Sequence, residues 1–418
     1  MTASTDRVPS YSWYALALLT TVYILNFLDR VLIYTLFPLI KKELAFSDFQ
    51  LAILGTTSFA IFYTAFGIPF GLLADRFSRK VIIGIGLAVW SLFSGLTGFA
   101  DTFWTIFGCR LMVGIGEATL GPAALSLLSD YFPPRMRATV QSVYSSAITI
   151  GAGLAAFLGA WIGAAYGWRW AFYTLGFPGL LLAVLVFGLR EQPRGGTETP
   201  EAMSGSGNWS RIFRSPALLF LYLGYALVGL ASNNIPVWMT IFFTRVHHLP
   251  LPFVGRIAAI IAIAVGIPAM VLGGYFSDRW SRVFGGSRLG FTASTAVLSV
   301  PLWIAMLFLD NAGLALAINA VLYALAILWV GPATADVHDI AGPHLRGFAI
   351  GIFFAAVNFF SYIVGAPLVG RISDALGVAT NPEQMRYSLL VCPAACALGA
   401  LCLWMGSRAR KRATASAA

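Results

Sequence analysis

Charge is scarce in this chain. Only 11% of its 418 residues are Asp, Glu, Lys or Arg, and histidine and cysteine occur four times each. Cys109, Cys392, Cys396 and Cys402 all lie inside apolar runs. Cys392 and Cys396 share a helix face, but nothing nearby completes a zinc set, so buried thiols are expected and no metal. The sequence has no Gly-x-Ser-x-Gly elbow, no P-loop and no His-Glu-x-x-His pair. Gly-x-Gly occurs at 84–86, 114–116 and 151–153, always within an apolar run and never as a full dinucleotide fingerprint. Small residues for helix packing explain those glycines. An enzyme is therefore not expected, and neither is a cofactor.

What fills the chain instead is apolar. Hydrophobic residues make up 58%, and the mean hydropathy is +0.80. Runs of about 20 apolar residues recur, each long enough to cross a hydrocarbon core of about 30 Å as a helix. They are not the alternating ten-residue segments of a barrel, which leaves a helical bundle. The first run is too long for a signal-peptide core and has no small-residue cleavage site after it. Twelve spans are expected, roughly 12–40, 48–74, 81–100, 102–130, 138–165, 169–189, 216–245, 252–277, 288–309, 312–339, 346–374 and 385–406. With the N-terminus inside, Arg76, Arg79, Lys80, Arg135, Arg137, Arg190, Arg194, Arg211, Arg214, Arg279, Arg282, Arg288 and Arg346 all fall in cytoplasmic loops. So does the tail with Arg408, Arg410, Lys411 and Arg412. The opposite side has only scattered cations such as Lys41, Lys42, Arg169, Arg245 and Arg386. The net charge of +10 thus reports positive-inside topology rather than a nucleic-acid partner. Both termini are expected in the cytoplasm and the chain in the inner membrane.

The longest polar stretch, 190–214, is rich in Gly, Ser, Pro and Thr and reads as a flexible linker. It separates a six-helix half, 1–189, from a second, 215–407, with a basic tail at 408–418. The halves repeat each other. GLLADRFSRK (71–80) returns as GYFSDRWSR (274–282), so Asp75 and Asp278 are equivalent. Gly121-Pro122-Ala123 returns as Gly331-Pro332-Ala333, and Pro134 and Arg137 return as Pro343 and Arg346. Two phrases at nearly the same offset mark a duplicated six-helix unit. Parallel halves with a substrate path between them are the architecture of major facilitator transporters.

Gly71-x-x-x-Asp75-Arg76-x-Ser78-Arg79-Lys80 resembles the superfamily signature between helices 2 and 3, with Ser78 where a glycine is usual. Narrower features are Asn26-Phe27-Leu28-Asp29-Arg30 in span one and Arg110-x-x-x-Gly114-x-Gly116-Glu117-Ala118 in span four. Pro122-Ala123, Ser129-Asp130-Tyr131-Phe132-Pro133-Pro134 and Arg190-Glu191-Gln192-Pro193-Arg194-Gly195 follow. Together these resemble the Spinster family of lipid transporters, in a bacterial form. The organic-anion branch shares a first-helix Asp-Arg and a fourth-helix arginine, so that branch stays open. The helix-5 glycine-proline signature of drug antiporters is missing; residues 151–163 read GAGLAAFLGAWIG.

Excluding span ends, the intramembrane charges are Asp29, Arg30, Arg110 and Glu117, which sum to zero. A charge at the bilayer centre costs about 2.5 kcal/mol or more, so each is expected to face an interior or a cavity. Arg110 and Glu117, two turns apart, share a face about 10 Å apart along the axis. Asp29 and Arg30 differ by about 100° around their helix and line a cavity only obliquely. A neutral structural network is one reading; proton coupling is the other. The Spinster resemblance makes Asp29 and Glu117 the proton carriers and Arg30 an ion-pair partner, with Arg30 and Arg110 able to take an anionic head group. The second half offers Asn233, Asn234, Trp238, Asn319, Tyr323, Asn358 and Tyr362 but no mid-depth charge. One charged wall and one apolar wall with a few amides suit an amphiphile, although such residues also serve as interhelical contacts. The expectation is a monomeric, proton-driven lipid antiporter of lysophospholipid- or sphingolipid-like substrates. The alternatives are an organic-anion or drug carrier of the same fold and a non-transporting sensor.

The repeated phrase implies, by the same resemblance, a cytoplasmic latch. Gly71 allows close helix approach, Asp75 meets the N-terminus of helix 11, and Arg79 reaches Asp130, with Arg76 beside them. In the second copy Asp278 meets the start of helix 5, and Arg282 meets Asp339 or Asp336. His247 and His248 are expected as a solvated loop pair, and His338 and His344 as structural.

Overall fold

The computed structural model describes residues 8–133, 136–192, 215–284, 288–341 and 346–415, and no strand occurs among them. Helix α1 (Ser10–Leu44) ends with Lys41 and Lys42 in its last turn, where the helix dipole favours cations. Ala45 takes a left-handed φ of 54°, and the chain restarts at a capping box. There the Ser47 hydroxyl accepts from the Gln50 amide (3.2 Å) and the Gln50 side chain accepts from the Ser47 amide (2.9 Å). Helix α2 then runs through Asp48–Ala52, a π-helical turn Ile53–Thr57 and Ser58–Arg76.

Helix α3 (Arg79–Leu96) follows after Phe77-Ser78. The expected fourth span is two helices, α4 (Phe103–Glu117) and α5 (Leu120–Tyr131). The Thr119 hydroxyl turns back onto the Gly116 carbonyl at 2.8 Å, a local bond that competes with the helical ladder. Helix α6 (Arg137–Tyr166) precedes α7 (Trp168–Gly176) and α8 (Gly179–Phe187), which part at Phe177-Pro178. Pro178 has no amide hydrogen to continue the ladder.

The second half begins with α9 (Pro216–Arg245), N-capped by Ser215. Helix α10 comprises Leu251–Ile260, the π segment Ile261–Gly266 and Ile267–Phe284. Then come α11 (Arg288–Phe308), α12 (Ala312–Leu328) and α13 (Val330–Ala341). Helix α14 comprises Arg346–Asn358, the π segment Phe359–Gly365 and Ala366–Ala375. Helix α15 (Val391–Ala415) closes the chain and runs eight residues beyond the expected boundary at 407. Arg408 stacks on Trp404 (3.5 Å to the ring centroid), and Arg410 reaches Asp336 at 3.4 Å, which ties down the basic end.

Eleven helical stretches among the described residues are long and apolar enough to cross a membrane. They match the expected spans except the fourth, which the break at Ala118-Thr119 divides into pieces of 15 and 12 residues. The chain also separates into two compact units, 1–39 with 61–203, and 40–60 with 204–418. The division differs from a cut at the linker, because the end of α1 and the first turns of α2 go with the second unit.

In the first unit α3 packs along α4, α7 and α8. Its crossing with α4 is tight: a Cβ on Gly116 would sit 2.8 Å from the Gly86 carbonyl oxygen and 2.8 Å from the Trp90 nitrogen. In the second unit α9 and α11 both pack on α15, around a core that includes Leu218, Tyr225, Trp329, Phe353 and Leu403.

Candidate functional site

The first unit places the four intramembrane charges together at the meeting of α1, α3 and α4. Asp29 and Arg110 are 0% exposed and Glu117 1%, whereas the Arg30 side chain keeps 20%. Arg30 is thus the one member with an open edge. Its Nε donates to Glu117 Oε2 at 2.7 Å. The guanidinium also lies over Tyr63 (4.5 Å) and Phe27 (5.0 Å), a geometry in which ring faces stabilise a cation. Neighbouring Asp29 points to α3, where Ser94 donates to Oδ1 at 2.8 Å. Arg110 Nη1 donates to the Asp29 backbone carbonyl at 3.4 Å. So the 100° offset between Asp29 and Arg30 sends one to α3 and the other to α4. Tyr23 and Tyr144 stack at 4.4 Å beside them, and Tyr23 meets Phe27 edge-on. Ser94, Tyr23, Tyr63 and Tyr144 were missed in the sequence, where serine and tyrosine inside apolar runs are too common to stand out.

On the arginine-rich side, Arg79 is 1% exposed and bonds to Asp130. It also donates to Ser126 (3.0 Å), Glu191 (2.9 Å) and the Gln192 carbonyl (2.8 Å). Burial pushes the Glu191 carboxyl up, but hydrogen bonds from Arg79, Ser78 and the Lys80 and Arg79 amides hold it below the usual range. Glu191, past the end of α8, was read only as part of a family phrase. Gly71 is half-buried on α2 and Arg76 ends that helix exposed. The side chains of Asp75 and Asp339 lie outside the described residues, as do those of His338, His344 and Arg346.

The repeat on α10 is arranged differently. Asp278 accepts from Arg288 at 2.8 Å, and Arg282 is exposed with its Nε on the Asp278 carbonyl (3.3 Å). Asp336, one of the two partners expected for Arg282, is fully buried and takes Tyr225 (3.2 Å) and Arg410 instead.

Two amides of the second unit, Asn233 and Asn234, bond to their neighbours. Asn233 donates to the Gly229 carbonyl (3.0 Å) and Ser361 (3.2 Å) and accepts from Tyr362 (3.1 Å). Buried Asn234 donates to the Leu230 carbonyl at 2.7 Å. Trp238 is fully buried and Asn319 nearly so, while Tyr323 and Asn358 are half-buried.

The second unit also holds a charge cluster absent from the sequence reading, because its members sit at span ends. Asp48, 0% exposed, takes both guanidinium nitrogens of Arg245 (2.8 and 2.9 Å), Lys41 (2.6 Å) and the Ser373 hydroxyl. Asp374 accepts from the Asp48 and Phe49 amides (2.8 and 3.0 Å), capping the start of α2. Asp48, Asp374, Lys41 and Arg245 sum to zero. About two turns further, Thr56 and Thr57 both donate to the Tyr362 carbonyl (2.8 and 3.0 Å), joining two π-helical turns. His247 is not a solvated loop residue. Its ring packs on Phe242 and Phe243, and burial, with Arg386 nearby, holds its imidazole below the usual range.

A family profile described as Major Facilitator Superfamily matches residues 19–359. The chain belongs to that superfamily of transporters. It is 26% identical over 411 residues to an MFS-type efflux pump of Mycolicibacterium smegmatis, covering 97% of this chain and 94% of that one. It is 26% identical to the probable L-galactonate transporter of Escherichia coli (94% and 89% covered) and 27% identical to spinster homolog 1 of Xenopus laevis (89% and 76%). Among solved structures, a bacterial homologue of the human lysosomal transporter Spinster, inward-facing and unoccupied, superposes with a TM-score of 0.83. That pair is 23% identical, with 97% of this chain and 98% of that chain covered. The fold is therefore the major facilitator fold expected from the duplicated phrases.

Proposed function

We propose that the protein is a proton-coupled antiporter of an amphiphilic lipid with a zwitterionic, lysophospholipid-like head group. The observation that carries this reading is the Arg30–Glu117 pair, 2.7 Å apart, with only Arg30 reaching solvent. A head-group phosphate suits Arg30 and would draw it off Glu117, leaving the carboxylate to the head group's ammonium. A proton on Glu117 removes the second contact. Lipid and proton then load the site in alternation, which is what antiport requires. Asp29, held by Ser94 and beside Arg110, is the second carboxylate able to take a proton. Arg110 keeps the sealed cluster neutral. The resemblance to Spinster proteins supports the substrate class. The positive-inside pattern supports an inner-membrane location with both termini cytoplasmic, and we take the working unit to be a monomer.

A second reading, a carrier of small organic anions or drugs, is favoured by the efflux pump and the probable L-galactonate transporter being as similar as the Spinster proteins. Ligand-induced melting shifts separate the two, because a ligand bound to the folded state stabilises it. Lysophospholipids or sphingoid lipids are expected to raise the melting temperature of the solubilised protein, and small hydrophilic acids to leave it unchanged. The reverse result selects the second reading.

A further inference from the structure

The first unit carries an apolar groove that the transport reading does not use. It measures about 330 Å³ and lies between α2, α3 and α4. Phe70, Leu73 and Phe77 form one wall, and Val81, Ile85 and Val89 the other. From Val81 to Val89 it runs about 12 Å along α3. Its floor is the tight crossing of Gly86 and Gly116, with the Thr119 hydroxyl turned away onto the Gly116 carbonyl. Phe77 is 59% and Ile85 54% exposed, so the groove opens outward along apolar side chains. Apolar side chains exposed in this way suit an acyl chain.

The arginine-rich end of the groove is charged. Arg76 directly precedes Phe77 and is exposed; Lys80 directly precedes Val81 and is half-exposed. Neither side chain makes an ion pair among the described residues, whereas Arg79 between them is fully engaged. Two available cations at the mouth of an apolar slot of this length select one occupant class.

We propose that the groove is a binding site for a resident anionic phospholipid, one acyl chain against α3 and its head group at Arg76 and Lys80. The leaflet fits, because the positive-inside pattern puts this end on the cytoplasmic face, where anionic lipids concentrate. The occupant is a bilayer lipid retained on the outside of the first unit, not the transported amphiphile.

Native mass spectrometry of the full chain tests this, from mixed micelles containing phosphatidylglycerol or phosphatidylcholine with the same acyl chains. One retained phosphatidylglycerol per chain is expected, in preference to phosphatidylcholine. Lys80→Gln is expected to lower its retention about fivefold, the effect of one cation near an anionic surface. Ile85→Trp fills the groove and is expected to abolish retention of both lipids. Leu181→Trp, at a 73% exposed site elsewhere on the same unit, is expected to change nothing. Equal retention of the two lipids by the wild-type chain overturns the proposal. So does wild-type retention in both groove variants, and so does loss of a dimer, rather than of lipid, in Ile85→Trp. Displacement of the bound phosphatidylglycerol by the transported lysolipid would place the substrate there instead, and also overturns it. None of these outcomes depends on whether transport is proton-driven.

Discussion

Arg30 and Glu117 are unequal partners. Glu117 is sealed, while Arg30 retains a solvent edge and two aromatic faces. Removing the carboxylate charge therefore leaves a cation that is still stabilised, and Glu117→Gln is expected to fold. His247 makes a pH prediction at the same scale. Its folded pKa is depressed, so its contribution to stability is present above the usual 6.5 and is lost as pH falls below it. Melting of the purified protein from pH 7 to about 5 is expected to drop more in the wild type than in His247→Gln; identical drops would contradict the packing of the half-buried ring on Phe242 and Phe243. The four intramembrane charges were legible in the sequence because a charge in an apolar run is costly and stands out. Their neutral partners were not, since Ser94 is 65 residues from Asp29 and no periodicity links them.

Among the elements, the α4–α5 break and the crossing with α3 belong together. Gly116 lets α4 approach the α3 backbone just where Glu117 is presented. A Cβ there meets main-chain atoms rather than a flexible side-chain tip. Gly116→Ala is expected to cost about 1–3 kcal/mol, read by denaturation in detergent, and an unchanged midpoint would contradict the tight crossing. The Asp48 cluster does similar work at the start of α2. Asp48→Asn leaves Arg245 and Lys41, 16% and 19% exposed, without their carboxylate, and is expected to cost about 3 kcal/mol. A cost below about 1 kcal/mol would mean the pairs behave as surface ion pairs. Hydropathy revealed the helices but not this cluster, because aspartate, lysine and arginine at span ends look like ordinary solvated termini. The π turns in α2, α10 and α14 were equally silent, since one extra residue per turn leaves no mark on an apolar run.

For the whole molecule, the duplicated Asp-Arg-x-Ser-Arg phrase and the recurring apolar runs were enough to reach the fold. One division between the units, at 203/204, falls inside the polar linker; the exchange of residues 40–60 was not legible, because packing sets it. Function at this scale rests on the charged cluster of the first unit. Its most direct test is lysolipid transport by Glu117→Gln in proteoliposomes, with and without an imposed pH gradient, beside the wild type. The wild type is expected to accelerate with the gradient, and the variant, folded, to show no response to it. Wild-type proton dependence in Glu117→Gln would contradict the account.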